Sequence, residues 1–251
     1  MSTPPQPSPE SASWIPGIYN HCDGWCERCR FTDRCRVFHD GRVMELMHGD
    51  GPVSESAMQE VVARRDREEA EDAAAGEPPA EFLAFVAEAN REPTPAEVAE
   101  FERDHKARRR WTKEQPAYQA AREYGFPAAD VALAWQEMPG IAGESVARAG
   151  LASILHFAYM IPVKTARALH GLYDRTHGDD DEFSMDDANG TAKLLRLAIA
   201  ESRQGWIGLI GFDHEGTGLP MGFANRLTEL DAQIATLFPD AMDFHRPGLD
   251  D

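Results

Sequence analysis

The sequence predicts an all-α protein, an antiparallel helical bundle preceded by a short N-terminal four-cysteine metal-binding module. Three observations carry that expectation. From Phe126 onward, apolar residues recur at three- and four-residue intervals in runs punctuated by proline and glycine. No stretch alternates apolar and polar residues as a half-buried strand would, and neither a βαβ rhythm nor an internal repeat is present. All four cysteines, Cys22, Cys26, Cys29 and Cys35, fall in one segment with the spacing C-x3-C-x2-C-x5-C.

The expected organisation follows composition along the chain. Residues 1–13, rich in Pro and Ser, read as a disordered tail, and residues 14–50 as the cysteine-rich metal-binding module. A charged helical connector covers 51–93, the bundle 94–238 and an acidic tail 239–251. Within the connector, Ser54 to Ala75 has high helix propensity but a weak apolar face. A short amphipathic helix then carries Phe82, Leu83, Phe85 and Val86 as its buried stripe. Thr94-Pro95-Ala96-Glu97 matches a capping box with proline at the first helical position, and Val98, Phe101 and His105 line one face of the helix it starts.

In the body, Pro127 to Met138 places Val131, Trp135 and Met138 at helical spacing, and Pro139-Gly140 stops it. Ala142 to Ile161 carries Val146, Leu151, Ile154, Leu155 and Ala158 on one stripe. Pro162 opens a new helix with Val163, Ala166, Leu169 and Tyr173 spaced for burial. An acidic loop from His177 to Asp187 precedes the longest apolar-periodic element, Ala188 to Ile210, with Leu195, Ala198, Ile199, Ser202, Trp206 and Leu209. A final helix uses Leu227, Leu230, Ile234 and Leu237.

Length and charge bound the function. A chain of 251 residues has enough material for a sizeable core without disulfide staples. The net charge of −18 opposes nucleic-acid binding, because phosphates are repelled over most of the surface. The best candidate for a local basic patch, Lys106, Arg108, Arg109, Arg110 and Lys113 around Trp111, reads as a solvated helix end. No apolar run reaches the length of a membrane span, and MSTPPQPSPESAS has no charged-then-apolar leader pattern, so the expectation is a cytoplasmic protein without a membrane. In that reducing compartment a cysteine cluster reads as metal ligands.

The module admits closed four-thiolate chemistry. The first three cysteines match the cluster motif of radical S-adenosylmethionine enzymes, but the fourth, Cys35, and the helical body oppose that reading. The last three, with Phe31 after Cys29, resemble the cysteine knuckle that holds a [4Fe–4S] cluster in some nucleases and auxiliary cluster domains. That resemblance implies a fully ligated cluster with a structural or electron-transfer role. A structural Zn(2+) site on the same four sulfurs is the competing reading, and spacing leaves both open. Arg28, Arg30, Arg34 and Arg36 interleave with the ligands and offset thiolate charge. His21 and His39 flank the cysteines and read as outer donors.

A wider likeness spans both ends. Ile18-Tyr19-Asn20, Cys22, Trp25, Cys26, Glu27, Cys29, Phe31-Thr32 and Arg34-Cys35, followed by a helical body and by Phe238-Pro239, Ala241, Phe244 and Arg246-Pro247-Gly248, resemble a family of bacterial proteins with no established activity. The likeness implies one integrated protein.

Weaker candidates lie in the body. Glu102 and His105 form an E-x-x-H pair, the spacing used in di-iron bundles, but no second pair accompanies it. His156 and His170 sit in apolar helices, where a satisfied core histidine is the default. The run Asp179-Asp180-Asp181-Glu182 with Asp186 and Asp187 lacks the ligand order of a calcium loop. Asp213-His214-Glu215 occupies a glycine-rich turn. Two functions follow as expectations: a metal-binding protein with a structural, redox-relay or interaction role towards an unknown protein partner, or an oxidoreductase feeding electrons from the cluster to a second centre near His105, His156 or His170.

Overall fold

The structure, a computed structural model, describes residues 14–48, 55, 58–59, 62–63, 66, 78–177 and 182–251. Helices and short 3-10 turns account for the regular elements, and no strand occurs among the described residues. The chain divides into two compact units, Met1–Tyr19 with Cys26–Phe101, and Asn20–Trp25 with Glu102–Asp251. The expected helix over Ser54 to Ala75 lies largely outside the described residues.

In the first unit, 3-10 turns at Cys26–Arg28 and Thr32–Arg34 lead into helix α1, Arg36–His48, and helix α2 spans Ala80–Ala89. Helix α3, Pro95–Glu114, begins here as the sequence requires. The Thr94 N–H donates to Glu97 Oε2 at 2.7 Å while the Glu97 N–H donates to Thr94 Oγ1 at 3.3 Å, the reciprocal pair of a capping box. Arg91 adds two contacts to the same carboxylate, at 2.9 and 2.5 Å. The expected burial fails, however: Phe82, Leu83, Phe85, Val98 and Phe101 are exposed, Phe101 by 71%. Periodicity marks a helix face and does not say what covers it.

The second unit is a four-helix bundle. Its members are α4, Pro116–Gln136; α5, Ser145–His177; α6, Glu182–Leu209; and α7, Leu219–Leu237. Gly150 of α5 meets Gly205 of α6 while Arg167 meets Asp187, so these two helices run antiparallel. Helix α5 packs most extensively on α6, α4 lies against α5 and α7, and α6 against α7, which closes the ring. The buried stripe of α5 is Ala147, Leu151, Ile154, Ala158, Ile161, Thr165, Ala168 and Leu172, alternating steps of four and three.

That stripe runs straight through Pro162, which corrects the expected helix break. Pro127 likewise lies inside α4 instead of starting a helix. A proline in a helix strands the carbonyl four residues earlier, and both stranded carbonyls have neighbours here. The Arg226 guanidinium of α7 donates to the Glu123 carbonyl at 3.4 Å. The Ala158 carbonyl faces Gly125 of α4, where a Cβ would stand only 2.7 Å from that oxygen. Because the phase is set by the whole of α5, Val146 and Val163 fall off the stripe and are each 66% exposed. The continuous α5 also contains an 18-residue window of mean hydropathy 1.4, long and apolar enough by composition to cross a membrane. Leu151, Ile154, Phe157 and Ile161 of that helix are buried in the bundle core, and 44% of the window is buried.

Two backbones touch where α5 and α6 cross. A Cβ on Gly205 would lie 2.7 Å from the Gly150 carbonyl oxygen, and one on Gly150 2.9 Å from that of Gly205. Beside the crossing, a buried polar chain ties α4 to α6: Tyr124 Oη and Ser202 Oγ are 2.5 Å apart, and Trp206 Nε1 donates to Tyr124 Oη at 3.2 Å. Burial pushes the Tyr124 phenol up to about 12, so it stays protonated and able to donate. Helix α6 starts at Glu182, five residues before the expected acidic loop ends, and Asp187 uses its position to hold Arg167 at 2.5 Å.

The last residues form a clasp. Phe238 and Ala241 are buried, and Lys193 Nζ of α6 donates to the Phe244 carbonyl and to Asp250 Oδ2, both at 2.7 Å. Arg246 Nη2 closes on Asp250 Oδ1 at 2.6 Å.

Candidate metal centre

The cysteine segment contributes to both units, and each part is built differently. In the first, the Cys29 N–H donates to the Cys26 carbonyl at 3.1 Å and closes the turn that two intervening residues allow. The Phe31 N–H then donates to Cys29 Sγ at 3.4 Å. A donor aimed at a sulfur stabilises negative charge there, as outer hydrogen bonds to metal thiolates do. Arg30 lies 4.5 Å over the Phe31 ring, so one of the interleaved arginines is held by a cation–π contact. The Arg34 N–H donates to the Phe31 carbonyl at 2.9 Å, and the Ile15 N–H to the Arg34 carbonyl at 3.1 Å. Trp14 sits edge-on to His39 at 5.2 Å.

In the second unit, Asn20–Trp25 is fastened to the bundle. Trp25 stacks on His156 of α5 with ring centroids 4.4 Å apart, and meets Phe157 edge-on at 5.9 Å. His156 Nε2 lies 2.8 Å from the Asp23 carbonyl, which can only accept, so the imidazole proton sits on Nε2. The Trp25 N–H donates to Asp23 Oδ1 at 3.0 Å, tightening the turn. His156, a candidate second-centre ligand from sequence, is therefore a clamp on the residues beside Cys22.

His21 occupies a notch in α6. Its ring lies edge-on to Phe244 at 4.8 Å, and a Cβ on Gly190 would come within 2.6 Å of it. Glycine in a helix interior is costly, and here it makes room for two rings. His21 Nδ1 is buried without a hydrogen-bond partner. Burial holds the imidazole below its ordinary range, with Asp187 pulling the other way. Lys164 is also held below the usual lysine range, by burial first and then by Arg167, while Cys22 and Asp187 favour its charge.

All four cysteines are free thiols and half-buried. Among the described residues, no three His, Cys, Asp or Glu side chains converge tightly enough to hold a metal ion. The other candidates are spent on structure. Glu102 pairs with Lys106 at 2.9 Å. His170 is held below its ordinary range by burial and by Arg108, with Asp174 opposing and His105 nearby. Arg108 bonds Asp174 at 3.0 Å and Trp111 meets Tyr173 edge-on at 5.6 Å, so the basic stretch fastens α3 to α5. Asp213 accepts from the Thr217 and Gly218 N–H groups at 2.9 and 2.7 Å and shapes the turn into α7. Residues 179–181 of the acidic run lie outside the described residues.

The contributions of Lys164, Gly190 and the Asp23 carbonyl escaped the sequence reading. Gly190 alone left a signal, as a glycine within a helical pattern. Compared with family models, curated proteins and solved structures, the chain matches none.

Proposed function

We propose that the protein binds a metal through the thiolates of Cys22, Cys26, Cys29 and Cys35, as a [4Fe–4S] cluster or Zn(2+), and serves a structural, redox-relay or interaction role in the cytoplasm. The observation that carries the reading is four reduced, half-buried cysteines within 14 residues of chain and none elsewhere. The donor set suits either group: sulfur ligates both, the Phe31 N–H already rests on Cys29 Sγ, and Lys164 lies within electrostatic range of Cys22. Four protein sulfurs would fill a tetrahedron or a cubane, leaving no open position for Lewis-acid work. The thiols would close on the metal as it binds, so metal affinity and the final folding of the loop are one free energy.

Anaerobic purification followed by metal and sulfide analysis with a visible spectrum tests this. Brown protein with about four irons and four sulfides per chain selects the cluster. Colourless protein with about one zinc selects the knuckle. Metal-free protein after expression in supplemented medium refutes both. Cys29→Ser is expected to lose the metal and expose the first 40 residues to protease; full metal occupancy in that variant would defeat the four-thiolate assignment.

A further inference from the structure

We infer that the groove between α4 and α5 is a binding site for an amphipathic carboxylate with an unbranched alkyl body. The groove encloses about 460 Å³, within the range of small-molecule sites. Tyr118, Arg122 and Phe126 form one wall at steps of four residues, about 12 Å of helix at 1.5 Å per residue. Tyr159 and Val163 form the other, with Phe126 and Tyr159 meeting edge-on at 5.5 Å across one end, and Pro162 with Ala158 makes the floor, because Gly125 has no side chain to hold the helices apart there.

Its surface is unusual for an exposed one. Phe126, Tyr159 and Val163 are 57%, 50% and 66% exposed, yet adjoin one another along an apolar strip. On a chain of net charge −18 the charged residues lining this strip are both cationic, Arg122 and Arg167. Arg167 is committed to Asp187, whereas Arg122 lies 5.9 Å over the Tyr118 ring and has no carboxylate partner among the described residues. A guanidinium at the edge of an apolar trough, in a field that is otherwise negative, complements a ligand with one anionic end and an apolar remainder. An acidic peptide would meet the same negative field along its whole length and gain only at Arg122, which favours the single-charge ligand.

Titration calorimetry of the full chain with decanoate, and separately with decanol, decides the matter. Saturable one-site decanoate binding is expected. Arg122→Gln should weaken decanoate about tenfold and leave decanol unchanged, since only the charge-assisted contact is lost. Val163→Glu should weaken both. Both positions are exposed, and equal thermal melts of the variants and the parent certify the fold. No saturable decanoate binding by the parent would overturn the inference, as would undiminished binding to Val163→Glu. So would a concentration-dependent dimer that Val163→Glu dissociates while decanoate does not bind, because the strip would then belong to a second copy.

Discussion

Gly205→Ala is expected to destabilise the bundle although alanine is the better helix former. In an exposed helix interior the change stabilises by about 1 kcal/mol. At Gly205 the new methyl would sit 2.7 Å from the Gly150 carbonyl oxygen and 3.1 Å from Ile154 Cγ1. The first neighbour is backbone, so no rotamer relieves the clash. The helices α5 and α6 must separate, loosening Leu151, Ile154 and Trp206 around the crossing. Overpacking of this kind costs about 1–3 kcal/mol, and a backbone contact belongs at the upper end. Subtracting the propensity gain leaves about 2 kcal/mol of net loss, or about 4–8 °C in Tm for a chain of this size. Gly222→Ala in α7 is the internal control: nothing lies within 4 Å of its Cβ position, so it should raise Tm by about 2–4 °C. Urea titrations of the three proteins, with unchanged m-values, supply the free energies. A Gly205→Ala variant as stable as Gly222→Ala would refute the close crossing.

Further outcomes follow from the same structure. Tyr124→Phe strands Ser202 Oγ and Trp206 Nε1 in the core and should cost about 1–3 kcal/mol; Tyr124→Phe with Ser202→Ala should recover part of it in a double-mutant cycle. His156→Ala removes the Asp23 hydrogen bond and the Trp25 stack, for a loss of about 2 kcal/mol and a shift of Trp25 fluorescence towards a wetter environment. The Asp250 carboxyl is held well below its ordinary 3.8 chiefly by Arg246, with Lys193 adding to it. A depressed acid contributes stability that is present above 3.8 and lost as pH falls below that value, so the protection factors of the Phe244, His245, Arg246 and Gly248 amides, referred to intrinsic exchange at each pH, should fall on acidification below about pH 4. Asp250→Asn should show fast exchange at neutral pH and no further acid step.

Legibility varied with the range of the forces involved. The capping box at Thr94 was readable because its donors and acceptors lie three residues apart. The helical character of the body was readable because burial of one face imposes a period. Pro127 and Pro162 read locally as boundaries, since local rules count the lost hydrogen bond, while the tertiary structure supplies Arg226 for one stranded carbonyl and packs the other against the side-chain-free face of Gly125. Val146 and Val163 were misplaced for the same reason: once α5 is continuous, its phase is set by 33 residues together.

By itself the sequence determined the helical class, the clustering of the four cysteines and the strongly negative net charge, because propensity, residue spacing and net charge are local or additive. Only the tertiary structure decided that His156 clamps the Asp23 carbonyl, that Gly190 makes room for His21 and Phe244, and that Lys164 comes within electrostatic range of Cys22. His156 and Asp23 stand 133 residues apart in the chain. Contacts of that separation are chosen by which helices share a core, and no local pattern encodes them.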